Sequence, residues 1–308
     1  MRTRASSFKV RAGPSGLTFF NRTTGLNILC DEIETPPSAW APAPRQVSIA
    51  LTNACDLACS YCFAPKTPAS LSFNAVTSWL SELDANGTFG IGFGGGEPTL
   101  YSRFADLCTY ACRNTGLAVT FTTHGHHLQD ALLSSLKGNV HFIRVSMDGI
   151  EATYERLRHR SFGALAQRLT AIKAIARFGI NYVVNSDTFP DLTAAIAFAE
   201  NVGASEFLLL PEQPVNGEGG INNATAQALR AWVERYSGSV PLTISEKGAD
   251  GVQTCDPFRN EAGLRAYAHI DAQGILKRTS YDDAGIAVGS DGIMRALKEL
   301  QHRANTGS

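Results

Sequence analysis

The chain has 308 residues, of which 44% are apolar and 18% charged, with 27 basic against 28 acidic side chains and a net charge of −1. This length holds one large domain with a small appendage, and the balance is that of a globular protein with a sizeable core. Near-neutral charge offers no electrostatic footprint for nucleic acid or an anionic membrane, and no apolar run reaches the ~18 residues of a membrane span.

The first residues, Met1-Arg2-Thr3-Arg4-Ala5, are basic, but no apolar stretch follows, so no secretory signal is expected. A cytoplasmic location is therefore predicted, in which thiols stay reduced. Seven cysteines in such a chain read as metal ligands, catalytic groups or core residues rather than as a disulfide framework.

Residues 1–45 form the first predicted unit. Phe8–Arg11 and Leu17–Phe20 flank Gly13-Pro14-Ser15-Gly16, a hairpin signature, and Asn27-Ile28-Leu29-Cys30 adds a short third strand. The Pro-rich stretch 35–44 sustains neither helix nor central strand and reads as an extended linker.

The second unit, 46–240, alternates short apolar runs with longer helical patterns. Strands are expected at 47–51, 90–93, 118–122, 141–146, 180–185 and 206–210. Helices are expected at 72–86, 101–115, 128–137, 151–177, 191–202 and 222–237. Strand-then-helix alternation implies parallel strands joined by right-handed crossovers. Six such units make an α/β fold that is a partial (β/α)6 barrel, with active-site groups at the carboxyl ends of the strands. In the third unit, 241–308, Ala266–Ile270 and Ile275–Ser280 flank Asp271-Ala272-Gln273-Gly274 as a hairpin, and a helix at about 290–303 ends the pattern.

The first barrel strand runs into Cys55-Asp56-Leu57-Ala58-Cys59-Ser60-Tyr61-Cys62. Three thiolates at this spacing can hold three corners of a [4Fe–4S] cluster and leave the fourth iron open to a small molecule. Zinc sites usually bring paired cysteine or histidine doublets, which are absent here.

Cys-x3-Cys-x-aromatic-Cys resembles the signature of the radical SAM superfamily, whose members bind S-adenosylmethionine (SAM) at the open iron. The resemblance covers about 46–240. It implies that Cys55, Cys59 and Cys62 are the metal ligands and that Tyr61 packs near the adenine. Gly94-Gly95-Gly96-Glu97-Pro98 resembles the family's Gly-Gly-Glu-Pro motif, in which Gly95, Gly96 and Glu97 bind the SAM amino group. Ser146-Met147-Asp148-Gly149 resembles the Ser-x-Asp-Gly of the peptide-modifying branch, and Ser146 takes the SAM ribose or carboxylate by this likeness. Tyr154-Glu155-Arg156-Leu157-Arg158 resembles that branch's His-Asp-x-x-Arg, with Tyr154 and Glu155 as departures. Arg158 either clasps the SAM carboxylate or is a helix-surface arginine. Asn185 ends the fifth strand as a polar SAM contact, and the backbone around Leu210 on the sixth passes along the adenine.

Thr123-His124-Gly125-His126-His127 stands where the branch shows Thr-Asn-Gly. His124 is a candidate proton donor or substrate contact, while the three histidines together read either as metal ligands or as solvated loop residues. Region 241–308 resembles a SPASM or twitch domain that lacks its auxiliary-cluster cysteines: only Cys255 stands there, as a thiol hydrogen donor or a structural thiol. Cys30, Cys108 and Cys112 read as core.

The likeness implies an enzyme that cleaves SAM with an electron from an external low-potential donor and takes hydrogen from a peptide substrate. A small-molecule substrate (nucleotide, sugar or amino acid) is the alternative, and a non-enzymatic iron–sulfur redox or sensor protein is the reading from another class.

Overall fold

The computed structural model describes residues 8–215 and 217–306; the basic start of the chain, Met1–Ala5, lies outside them. Three antiparallel strands come first: β1 (Lys9–Gly13), β2 (Gly16–Phe20) and β3 (Asn27–Cys30), in the order β1-β2-β3.

The main body follows as β4 (Gln46–Thr52), α1 (Phe73–Ala85), β5 (Gly90–Gly95), α2 (Phe104–Asn114), β6 (Ala118–Thr123), α3 (Asp130–Leu136) and β7 (Phe142–Ser146). After β7 come α4 (Glu151–Arg158), α5 (Phe162–Lys173), β8 (Arg177–Val184), α6 (Leu192–Val202), β9 (Phe207–Pro211) and α7 (Asn223–Glu234). Strands β4 to β9 lie side by side in chain order, and each neighbouring pair is parallel. The sheet is the open (β/α)6 arrangement expected from the alternation.

One face of this sheet makes the core. Val47, Ile49, Leu51, Ile91, Phe93, Val119, Phe121, Ile143 and Val145 are fully buried, as are Val76, Leu80 and Leu83 of α1. The alternate positions of β4 to β6 face the other way and are mostly small or polar. Gln46 reaches over Gly90 and Gly92, Thr120 stands against Gly92, and Ser48 hydrogen-bonds Tyr267 and His269. Period-two alternation therefore divides β4 to β6 between an oily outer layer under the helices and a more polar inner wall.

Two features depart from the expected pattern. The single helix expected over 151–177 is broken. His159 adopts a left-handed conformation (φ 51°) at the end of α4, and Ser161 starts α5 by accepting from the Ala164 N–H. A left-handed residue at 159 and a side-chain cap at 161 end one helix and begin the next.

The second departure is the carboxyl-terminal hairpin, which joins the main sheet. The remaining elements are β10 (Leu242–Ile244), β11 (Tyr267–Ile270), β12 (Ile275–Lys277), β13 (Ile286–Ala287) and α8 (Ile293–Thr306). Strand β10 extends the sheet beyond β9, and β11 pairs in parallel with β4, so the ten strands run β10-β9-β8-β7-β6-β5-β4-β11-β12-β13. Among the described residues, no helix is long and apolar enough to cross a membrane.

Candidate functional site

The carboxyl end of β4 leads directly into the cysteine loop. Its base is stitched by Asn53 N–H to the Ala69 carbonyl (3.0 Å) and by Leu71 N–H to the Leu51 carbonyl (3.0 Å). Cys55, Cys59 and Cys62 are free, half-buried thiols. The Cys62 N–H donates to the Cys59 carbonyl (3.1 Å), and the Leu57 N–H points at Cys55 Sγ (3.4 Å). Burial pushes the Cys55 thiol up; the Leu57 N–H opposes this, but Glu97, Asp56 and Cys62 add to the rise. A positive centre bound at the sulfur, as a cluster iron would be, favours the thiolate against this rise.

The glycine-rich end of β5 presses against this loop. Gly95 has φ +125°, and a Cβ on it would lie 2.2 Å from the Thr52 carbonyl oxygen; a Cβ on Gly96 would lie 2.3 Å from that of Ala54. The Gly96 and Glu97 N–H groups each donate across the gap at 2.8 Å, to Thr52 and Ala54. Both glycines thus let two backbones meet. Gly94 differs: among the described residues, nothing beyond its chain neighbours lies within 4 Å of the place where its Cβ would be.

Glu97 is buried and fully engaged. Oε1 accepts from Thr99 N–H (3.2 Å), Thr99 Oγ1 (2.6 Å) and Thr123 Oγ1 (2.7 Å), while Oε2 accepts from His124 N–H (3.0 Å). Its carboxylate ties β5 to β6 within the protein.

A second hub lies past β7. Asp148 has no exposed surface and accepts from Tyr61 Oη (2.8 Å), from the Val183 N–H (2.7 Å) and from Arg158 Nη2. Burial pushes the Tyr61 hydroxyl far up, and the Asp148 charge adds to it, so the phenol stays a donor. The Arg158 guanidinium crosses the Tyr61 ring at 5.8 Å, and its Nε is buried without a partner. Arg158 is therefore no helix-surface arginine. Asp148 was not singled out from the sequence, although the Ser-x-Asp-Gly likeness contains it.

The other predicted positions sit around the same mouth. Ser146 is the half-buried last residue of β7. Asn185 follows β8; its Oδ1 accepts from the Asp187 and Thr188 N–H groups, and its Nδ2 donates to Glu212 Oε2 (2.6 Å). Leu210 is half-buried on β9. Cys255 is brought elsewhere. It is exposed and precedes Asp256, whose charge acts on Arg45 at the start of β4, the far end of that strand from Cys55. Cys108 is buried in the core, and Cys112 Sγ points at the Gly138 carbonyl (3.4 Å).

Asp56, His124 and His127 gather three potential metal-ligand atoms within 4.8 Å of one another. The tautomer of His124 argues against a metal there. Its Nδ1 accepts from the His126 N–H (3.1 Å), so its proton sits on Nε2, which lies 2.9 Å from Asp56 Oδ1 and 3.3 Å from Glu97 Oε2. A nitrogen that carries the proton has no lone pair for an ion. Both ring nitrogens are thereby occupied inside the protein. Burial raises the Asp56 carboxyl, but Arg160, His124 and His127 outweigh it and hold that carboxyl well below the usual range. Burial also lowers the neighbouring His126 to about 4.

The residues fit a cluster with a SAM-like ligand. Three free thiols share one loop, open space lies over Gly94, and an orphaned guanidinium nitrogen waits for an anion.

Comparison with known proteins agrees. The model of the radical SAM superfamily matches residues 49–196. The sporulation killing factor maturation protein SkfB of Bacillus subtilis (strain 168) is 30% identical over 174 residues, covering 53% of this chain and 42% of SkfB. The AdoMet-dependent heme synthase of Methanosarcina barkeri (strain Fusaro / DSM 804) is 27% identical over 186 residues, covering 56% of this chain and 53% of that protein. The chain thus spans about half, or less, of these curated relatives. Among solved structures, Streptococcus suis SuiB bound to precursor peptide SuiA matches with a TM-score of 0.76 at 14% identity, over 96% of this chain and 88% of SuiB, a likeness of fold.

Proposed function

Residues 49–196 are a radical SAM domain, and on that premise we propose that the protein is an enzyme that reductively cleaves SAM and takes hydrogen from a peptide, in the maturation of a ribosomally made precursor. The observation that carries the reading is the convergence of Cys55, Cys59 and Cys62 with the open space at Gly94 and the unpaired Nε of Arg158. When bound, the cluster and SAM together supply a 5′-deoxyadenosyl radical, made by one-electron cleavage of the C5′–S bond, that takes hydrogen from an unactivated carbon.

The chain's own residues bind and orient. Cys55, Cys59 and Cys62 are the residues that would hold the cluster. Arg158 offers its free Nε to the SAM carboxylate, while Asp148 holds Nη2 and balances the charge. Tyr61, held through its hydroxyl by Asp148, presents its ring face beside the cluster loop. Gly94 leaves room for ligand where any side chain would fill it. Ser146 and the backbone near Leu210 line the further wall, and the apolar layer under the helices keeps the strand ends rigid.

Two names support the peptide class: SkfB is a maturation protein, and SuiB was solved with a precursor peptide. A second reading, a small-molecule substrate, is favoured by the heme synthase relative and by Cys255 being the lone cysteine beyond residue 112, which leaves no thiol set for a second cluster there.

The test is anaerobic reconstitution with iron and sulfide, then dithionite and SAM, with 5′-deoxyadenosine read by mass spectrometry. The nucleoside is expected from the wild type and not from a Cys55/Cys59/Cys62→Ala variant. Adding candidate precursor peptides or tetrapyrroles separates the two substrate readings by which addition stimulates turnover. Binding of about four irons per chain with no nucleoside under any addition would sink the enzyme reading in favour of a redox or sensor protein.

A further inference from the structure

Within the cysteine loop, a residue beside each outer ligand is tied to the barrel wall. Tyr61, before Cys62, reaches Asp148 beyond β7. Asp56, after Cys55, reaches two other places. Its Oδ1 accepts from His124 Nε2 (2.9 Å) at the end of β6. Its Oδ2 accepts from Arg160 Nη2 (2.8 Å), in the break between α4 and α5, and the same Nη2 also reaches the Asp56 carbonyl (3.3 Å). His127 Nε2 stands 3.1 Å from Oδ2, off the line of a good hydrogen bond. His124 is itself held by Glu97 and by the His126 N–H, so the anchor behind Asp56 is rigid and buried.

We infer that Asp56 is a positioning residue for the first cluster ligand: through His124 and Arg160 it fixes the pose of Cys55, and its carboxylate sets part of the charge that surrounds a cluster bound there. The inference rests on the cluster-binding reading of the cysteine loop. Sequence separations of 68 residues to His124 and 104 to Arg160 make the clamp invisible to local pattern. A carboxylate one residue from a ligand opposes addition of an electron to the cluster, so removing it makes reduction easier.

Asp56→Asn, Asp56→Ala and Arg160→Gln are compared with the wild type in two measurements. In the metal-free chain, alkylation of each cysteine by iodoacetamide is followed by mass spectrometry. Cys55 is expected to react several-fold faster in Asp56→Ala and in Arg160→Gln, with buried Cys108 as the unchanged control. Arg160→Gln is the discriminating variant, because loss of a nearby cation would by itself slow a thiolate reaction, whereas loss of the clamp speeds it. In the reconstituted protein, the midpoint potential is expected to move upward in Asp56→Asn, whose amide keeps the shape of the side chain but not its charge.

Unchanged or slower Cys55 reactivity in Arg160→Gln overturns the positioning role whatever Asp56→Ala does, and an unchanged potential in Asp56→Asn overturns the charge contribution. Failure of the wild type to take up iron overturns the cluster reading instead, and leaves the alkylation result to stand on its own.

Discussion

Two arginines at opposite ends of the barrel strands each pair with a buried carboxylate, to different ends. At the amino end of β4, Arg11 uses all five of its N–H groups: two on Glu261 Oε1, and one each on the carbonyls of Ala43, Gly87 and Arg265. It locks β1, the stretch before β4 and the approach to β11 into one body. At the carboxyl end, Arg158 meets Asp148 through Nη2 but keeps a buried Nε with no partner. A saturated guanidinium has nothing left for a ligand, whereas one with a buried, unpaired nitrogen keeps an unmet demand for an anion. The contrast separates the structural pole of the molecule from the binding pole.

The largest expected effect tests the structural pole. Glu261→Met strands the Arg11 charge in the interior and should cost about 3–5 kcal/mol of unfolding free energy, measured by denaturant titration, with SAM affinity of the reconstituted protein unchanged. A loss of SAM affinity alongside would blur the two poles.

Arg158→Lys is the complementary test. A lysine keeps the charge but not the fork, so SAM affinity should fall about tenfold, or about 1.4 kcal/mol, with a smaller change in stability. Calorimetric titration with SAM on the reconstituted variant reads the first effect, and unchanged affinity would show that the unpaired Nε serves no ligand.

Histidines at both poles add a pH dependence. Burial lowers His141, which accepts from the Val119 N–H at the amino end of β7, to about 4, with Arg22 adding to the effect. His126 at the mouth is lowered to about 4 as well. Both folded values lie below the usual 6.5, so the unfolded chain takes up protons first as the pH falls. Stability is full above about 6.5, declines between 6.5 and 4, and levels below that. Solvent that still reaches both rings keeps each contribution well under the limit of about 1.4 kcal/mol per pH unit. Urea midpoints across this range should show a shallower slope in His141→Asn and in His126→Asn than in the wild type.

The smallest effect is that of Tyr61→Phe. It removes one donor to Asp148 and leaves two, so stability should drop by about 1 kcal/mol. A drop several times larger would mean that the cysteine loop depends on Tyr61 for its fold.

Much of the architecture can be read along the chain because its determinants are local. The spacing of Cys55, Cys59 and Cys62 places three thiols on one loop whatever surrounds it, and the loop follows a strand that its own apolar run specifies. Strand and helix alternate with periods of two and 3.6 in side-chain character, and that alternation already implies parallel strands with an open mouth. Gly95 and Gly96 stand out in the sequence as part of a motif expected at the SAM amino group, whereas their closest neighbours are the carbonyls of Thr52 and Ala54.

What only the tertiary structure decided is which distant residues meet. Tyr61 and Asp148 are 87 residues apart, and Arg11 and Glu261 are 250 apart; no periodicity links them. The break at His159, which turns Arg158 toward Asp148 and Arg160 toward Asp56, falls inside a stretch whose pattern reads as one helix. The pairing of β11 with β4 draws the carboxyl-terminal hairpin into the sheet, and Cys255, a candidate for the mouth by sequence, lies by the other end of β4. Hydrogen bonds and ion pairs of this range depend on strand order and helix breaks, which arise from packing the whole chain, whereas ligand spacing and amphipathic period are properties of neighbouring residues alone.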